Sequence, residues 1–476
     1  MSPTFRCDIS GSCQPLPHVW KFAVGGGHAP LALRADWQSH ARRAHAELGF
    51  RHLRFHGILS DDMGTLITHE GKALYSFFNA DQAFDALLEM DIRPFVELSF
   101  MPSTLASGDT TVFAYRGNVT PPRDPGEWAA LIGTLVGHWV DRYGATEVRS
   151  WPFEVWNEPN LEMFWAGTQA DYFELYRHSA EAIRRVNPDL AVGGPATARN
   201  EWIPEFLDFC AREDLPVDFV STHHYPTDAW GSPGVAELAR AASERGVLRR
   251  QASRAREQAG SLPLYYTEWN TSSDSRDPLH DEAYAAAFVV KAALEAVGLV
   301  DGYAFWGVSD IFAEDYFPSG PFHGGFGLLT LHGIPKPTYR AFELLHGLGS
   351  ERWEVDGTHD TVDAWVVRGN EEVTVLLTNH APPHHSIEVE EVRVELRGAA
   401  APRRGSIRRI DTDHANPKRA WEDMGSPEYL SAAEVSALEI ASRLVPEPIA
   451  WREEEGIIVG CRLPPHAVAA IRLDLA

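Results

Sequence analysis

A chain of 476 residues, with 44% hydrophobic residues and 15 tryptophans, holds more core-forming material than a single domain usually uses, so one large unit plus a smaller one is expected. Its 42 Lys and Arg face 67 Asp and Glu, and the net charge of −25 argues against a nucleic-acid or anionic-membrane surface and for a neutral small molecule as partner. The four cysteines (Cys7, Cys13, Cys210, Cys461) lack zinc or disulfide spacing, and neither a leader-like start nor a bilayer-length apolar run is present, a pattern that reads as a cytoplasmic protein with reduced thiols.

Along the chain, short apolar runs alternate with amphipathic stretches. Strands are expected at 18–24, 52–57, 92–100, 151–156, 190–194, 219–224, 262–268 and 302–308. Helices are expected at 34–48, 80–90, 125–142, 169–186, 203–212, 235–258, 281–297 and 338–346. Thr168 and Asp124-Pro125 punctuate helix starts and Asn187-Pro188 a helix end. Eight strand-then-helix units specify an α/β fold, an eight-stranded (β/α)8 TIM barrel over 14–348. An open doubly wound sheet would carry a glycine fingerprint after its first strand, and the run from Gly25 to Pro30 does not match one.

After the last helix the texture changes. Period-two alternation at 361–368, 372–378, 386–395, 456–461 and 468–475, with turns rich in Gly, Pro, Asn and His, reads as a β-sandwich over 349–476. A helical insertion near 431–444 interrupts it, and residues 1–13 are expected to add an edge strand to this second domain.

Chemistry concentrates where barrel strands should end. Strand four runs through Phe153, Val155 and Trp156 into Asn157-Glu158-Pro159, where the proline stops the strand and leaves Glu158 at its mouth beside an amide. Strand seven runs into Glu268, flanked by Trp269 and Asn270. Strand two delivers Arg54 and His56 on one face, strand six His223 and Tyr225, and strand eight Trp306. Singly, Arg54, His223 and Trp306 also suit a barrel-end cap, a satisfied core histidine and a core tryptophan. Jointly, at the carboxyl ends of five strands, they point to a catalytic site.

The segments 55–63 (FHGILSDDM), 155–161 (VWNEPNL), 266–270 (YTEWN) and 322–329 (FHGGFGLL) resemble glycoside hydrolase family 39, the β-xylosidase and α-L-iduronidase family. The similarity runs from about residue 20 to 341, with the sandwich behind it. The resemblance implies a retaining glycosidase in which Glu158 is the acid/base and Glu268 the nucleophile, their carboxyls about 5 to 5.5 Å apart. Glu268 must stay ionised, for which Arg54 and Tyr225 are apt neighbours. Glu158 must be protonated, which a nearby charged Glu268 and Trp156 would favour.

The same resemblance assigns Asn157 to the sugar 2-hydroxyl, His56 and His223 to hydroxyls or to orienting the acids, and Trp306 to the apolar face of the ring. Two loops, 160–165 with Phe164 and 309–326 with Glu314 and Phe322, are expected to close a pocket around a terminal sugar. The position after His224 is Tyr225 and the strand-eight loop up to Phe326 carries no cation, so no partner for a uronic carboxylate is expected there. β-D-Xylosidase action on xylo-oligosaccharides is the preferred reading, with α-L-iduronidase-like or α-L-arabinosidase activity as alternatives and a non-catalytic carbohydrate-binding barrel as the alternative of another class. The histidines include no His-x-His on strand one, so no metal and no cofactor is expected. The partner expected is a small oligosaccharide, with no nucleic acid and no membrane, and no oligomeric state is assigned.

Overall fold

A computed structural model describes residues 3–227, 242–315 and 317–475. Eight parallel strands close into a barrel: β1 Ala23–His28, β2 His52–His56, β3 Arg93–Leu98, β4 Phe153–Val155, β5 Val192–Thr197, β6 Phe219–His224, β7 Leu264–Trp269 and β8 Gly302–Phe305. Each pairs with the next, and β8 closes on β1 through Phe305 and Val24. The outer ring is α1 Ala35–Leu48, α2 Phe78–Glu89, α3 Pro125–Tyr143, α4 Gln169–Val186, α5 Ile203–Arg212, α6 Val247–Ala259, α7 Ala283–Glu295 and α8 Pro337–His346. Asp124 caps α3 by accepting from Gly126 N at 2.7 Å, and Thr168 with Asp171 forms a capping box on α4. Of the helix expected at 235–258, the part before 242 lies outside the described residues. Among those residues no helix is long and apolar enough to cross a membrane.

The first strand is displaced from its expected place. Residues Val19–Lys21 form a 3-10 turn, and the strand is the glycine run itself. The cause is Trp306, whose indole lies against the β1 backbone: a Cβ on Gly25 would sit 2.1 Å from a ring carbon. Gly25→Ala is therefore expected to lower stability by about 1–3 kcal/mol through overpacking and to raise KM by moving Trp306. Denaturant midpoints and substrate titration check both, and a wild-type KM would contradict the second.

Inside the barrel the side chains form layers. Phe22, Phe95, Phe219 and Tyr265 plug the amino end, Phe22 and Tyr265 stacked at 4.4 Å. Above them, Arg54 from β2, Glu97 from β3, Glu154 from β4 and Thr267 from β7 make a buried polar layer. The catalytic end lies on top of it. One irregularity matters here: Thr222 pairs with Tyr266 but His223 pairs with Glu268, so Thr267 is an extra residue on β7. A bulge re-aims side chains. It lets Thr267 and Glu268, adjacent in sequence, both face the interior.

Two antiparallel-rich sheets follow the barrel. The seven-stranded sheet runs Gln14–Pro15, Glu351–Trp353, Val362–Arg368, Glu372–Asn379, Ala467–Asp474, Arg404–Ile410, Glu447–Pro448. The four-stranded sheet runs Thr4–Asp8, Glu390–Arg397, Gly456–Leu463, Trp451–Glu453, with Thr4–Asp8 parallel to Glu390–Arg397 at its edge. Val375 and Leu377 point into the core between the sheets, whereas Leu376 points to the barrel core. The larger sheet is thus a middle layer, which is why Glu372–Asn379 is buried on both faces. Helix α7, buried almost all round, is wedged between it and the barrel. The strand Arg404–Ile410 escapes the alternation pattern because four of its seven residues are Arg or Ser.

Candidate active site

The geometry is organised by Arg54, which is fully buried. Its Nε donates to Glu154 Oε2 at 2.6 Å, Nη1 to Glu268 Oε1 at 2.7 Å and Nη2 to Asn157 Oδ1 at 3.0 Å, and Glu97 Oε2 lies 2.9 Å from Nη2. Burial opposes its charge, but the surrounding carboxylates hold it firmly protonated. Burial alone would likewise raise the Glu97 carboxyl, yet Arg54 and His56 outweigh that and keep it below the usual range. The sequence points to Arg54 as a neighbour of Glu268 and leaves its other two carboxylate partners, Glu97 and Glu154, unmarked. The available signal was a single acid inside an otherwise apolar barrel strand, where both faces are covered.

Glu268 also accepts from the Tyr225 hydroxyl at 3.0 Å. Burial first, and then Glu268 and Glu158, push the Tyr225 phenol well above its ordinary range, so it remains a donor. Glu158 stands opposite, and one oxygen of each acid lies within 4.8 Å of the other. Glu158 has φ 45° and its N–H donates to Ala196 O at 2.8 Å. A non-glycine residue in the left-handed region is held there by its surroundings. Here the bend turns the chain out of β4 so that the carboxyl faces back over the barrel.

The pocket above these acids has a volume of about 210 Å³, below the range of drug-sized ligand sites and suited to one sugar ring. His56, Asn157, Phe164, Tyr225, Trp306 and Glu314 line it together with both acids. The Asn157 carbonyl oxygen is engaged by Arg54, which leaves its NH2 for a ligand hydroxyl. His56 donates through Nδ1 to Glu97 at 2.7 Å, presenting Nε2 towards Glu268 and Glu314 at 3.5 and 3.6 Å. Burial, followed by the charges of Glu268, Asp315, Glu158 and Glu97, raises the Glu314 carboxyl far above its usual range, so it faces the pocket as a neutral group.

Arg54 and His223 have no exposed surface and sit beneath the acids, Arg54 as the expected neighbour of Glu268 and His223 against Glu158, so neither lines the pocket itself. Phe322 packs at a tilt against Trp421 of the insertion, 5.5 Å between ring centres, and with Ile334 and Leu438; Phe326 lines the pocket in its stead. The insertion, with helices Pro417–Asp423 and Ala432–Ala441, thereby buttresses the loop that carries Glu314. Phe113, Arg199 and Ser273 line the pocket without having been anticipated, each from a loop whose path only the fold sets. Arg199 supplies a cation that the expected loops lack.

Among the described residues, Glu158, His223 and Glu268 are also the set able to grip a metal ion, one atom each within 4.8 Å of the others. An ion there would occupy the space a sugar needs. A wider cleft of about 760 Å³ lies at the seam of barrel and sandwich, but of its acids Glu295, Asp360 and Asp363 the first and last are paired with Lys291 and Arg245, and no residue from the strand ends reaches it.

Comparison with known proteins gives a consistent result. The family model for glycosyl hydrolases family 39 matches residues 5–456. The chain is 46% identical to a beta-xylosidase of Caldicellulosiruptor saccharolyticus over 95% of each chain. It is 39% identical to a beta-xylosidase of Geobacillus stearothermophilus over 88% of this chain and 85% of that one. A solved monomeric beta-xylosidase from Caulobacter crescentus CB15 superposes with a TM-score of 0.88 at 33% identity, covering 100% of both chains.

Proposed function

The chain belongs to glycosyl hydrolases family 39, and on that premise we propose that it releases terminal β-D-xylose from xylo-oligosaccharides with Glu158 as acid/base and Glu268 as nucleophile. The observation that carries the proposal is the pair of carboxyls facing each other within 4.8 Å, the spacing of a retaining enzyme and too close for an inverting one to seat a water between them. A Glu268 oxygen, held in place by hydrogen bonds from Arg54 and Tyr225, attacks the anomeric carbon as Glu158 gives its proton to the glycosidic oxygen and the leaving sugar departs. Water then attacks the same carbon, Glu158 takes its proton, the bond to Glu268 breaks, and xylose leaves with its configuration retained. Asn157 NH2 serves the 2-hydroxyl, where a hydrogen bond strengthens as the ring flattens.

A pentose lacks the hydroxymethyl arm of a hexose, and the walls of Phe113, Phe164, Trp306 and Phe326 around about 210 Å³ suit the smaller ring. Arg199 favours a second reading in which a uronic carboxylate is bound, as in an α-L-iduronidase. A panel of aryl glycosides separates the two. The aryl β-D-xyloside is expected to exceed the α-L-arabinoside, β-D-glucoside and α-L-iduronide by about tenfold or more in kcat/KM, the discrimination that small differences in pocket contacts supply. A best rate on the iduronide would overturn the xylose assignment and leave the acids' roles in place.

The enzyme is placed in the reducing cytoplasm, a reading supported by its free cysteines, of which Cys7 and Cys210 are buried with thiols pushed up to about 12. Activity found in the culture medium of intact cells would refute it.

A further inference from the structure

We infer that Thr267 is a positioning residue that acts through His223 to keep the proton on Glu158, with Glu154 as the anchor of the chain. The inference rests on the assignment of Glu158 as acid/base. Glu154, paired with Arg54 Nε through Oε2 at 2.6 Å, is an acceptor only, and its Oε1 takes the Thr267 hydroxyl hydrogen at 2.8 Å. A hydroxyl has one hydrogen. With that hydrogen committed, Thr267 Oγ1 can only accept from its other close neighbour, His223 Nε2, at 3.0 Å. The His223 ring is fully buried, and burial foremost pushes its pKa down to about 4, so at neutral pH it owns a single N–H. That N–H is spent on Thr267. Nδ1 therefore turns a lone pair to Glu158 Oε1, 2.9 Å away.

Against a carboxylate this contact is repulsive; against a carboxylic acid it is a hydrogen bond. The chain raises the proton affinity of Glu158 in both half-reactions: it keeps the acid loaded before glycosidic cleavage and strengthens the carboxylate as a base towards water afterwards. Arg54 Nη2 donates to Asn157 Oδ1 at 3.0 Å and also lies 3.4 Å from His223 Nε2, which would favour the other tautomer; the shorter 3.0 Å contact with Thr267 Oγ1, whose own hydrogen is on Glu154, decides for the proton on Nε2. Among the described residues, the other charged and titratable groups facing Glu158 and His223 include His56 from β2, Tyr225 from β6, Glu268 from β7, Glu162 after β4, Arg199 after β5 and Glu314 after β8. Thr267→Val leaves all of them in place and removes only the hydroxyl.

The test is the pH profile of kcat/KM on an aryl β-D-xyloside with a poor leaving group, for wild type, Thr267→Val and Thr267→Ser. Thr267→Val should move the basic limb, which reports loss of the Glu158 proton, down by about one pH unit, a loss of about tenfold above that limb, while the acidic limb stays put. Thr267→Ser should restore the wild-type profile. A Thr267→Val basic limb coincident with wild type, or a Ser variant shifted as far as the Val one, overturns the inference. Should Thr267→Val fail to fold, imidazole nitrogen NMR of the wild-type protein decides: a proton on Nε2 of His223 supports the chain, and one on Nδ1 overturns it. Glu158→Ala, run alongside, keeps two failures apart. If that variant shows the leaving-group dependence of an acid/base and the Thr267→Val limb does not move, the chain fails and the acid stands; if it does not, the assignment fails and takes the chain with it.

Discussion

Glu268→Ala is expected to lower kcat by a factor on the order of 10⁴ or more on every xyloside, activated aryl leaving groups included. The size follows from the absence of a substitute. Glu158 stands on the leaving-group side, and Glu314 is held neutral by burial and by the acids around it, so neither offers an anionic oxygen to the anomeric carbon in place of Glu268. Arg54 keeps its ion pairs with Glu97 and Glu154 in the variant, so the barrel should stay folded and the loss should lie in kcat. Azide admitted to the vacated space attacks from the nucleophile's side and yields a glycosyl azide of inverted configuration. A residual rate within tenfold of wild type would remove Glu268 from the mechanism.

The second large effect is selective. Glu158→Ala should cost about 10²–10⁴-fold on xylobiose, whose leaving hydroxyl needs a proton, and far less in the first step on a dinitrophenyl xyloside, which needs none. The second step loses its base with either substrate. Glycosyl-enzyme then accumulates, KM falls, and azide speeds turnover while giving a product of retained configuration. The opposite stereochemistry of the two azide products identifies which side of the sugar each acid occupies. The pH profile follows with a definite sign: in the wild type, activity falls on the alkaline side as Glu158 loses its proton, and the variant should lack that limb when leaving groups are good. Equal losses on good and poor leaving groups would refute the acid/base role.

Much of this site was legible along the chain because its signals are local. A proline after Asn157-Glu158 and an amide after Glu268-Trp269 mark strand ends wherever the strands go, and the period-two spacing of Arg54 and His56 puts them on one face. The displaced first strand shows the limit: glycines at 25–27 look like a loop until a tryptophan from β8 is laid across them. Phe322 and Phe326 are equivalent by composition and spacing, and the difference between them is set by Trp421 and Leu438, about a hundred residues further on, which claim the first and leave the second to the pocket.

By itself the sequence determined the number and order of barrel units, the two carboxyls at the mouths of β4 and β7, and the change to a sandwich, since each depends on residue periodicity and chain terminators a few positions apart. Only the tertiary structure decided which side chains share a height inside the barrel. The polar layer of Arg54, Glu97, Glu154 and Thr267, the path from Thr267 through His223 to Glu158, and the presence of Arg199 beside the pocket depend on how strands stagger around the ring and on one extra residue in β7. The physical reason is that hydrogen bonds across a barrel join atoms from five or six strands over distances of about 3 Å, and a shift of one residue in register moves a side chain by about 3.3 Å and turns it to the other face.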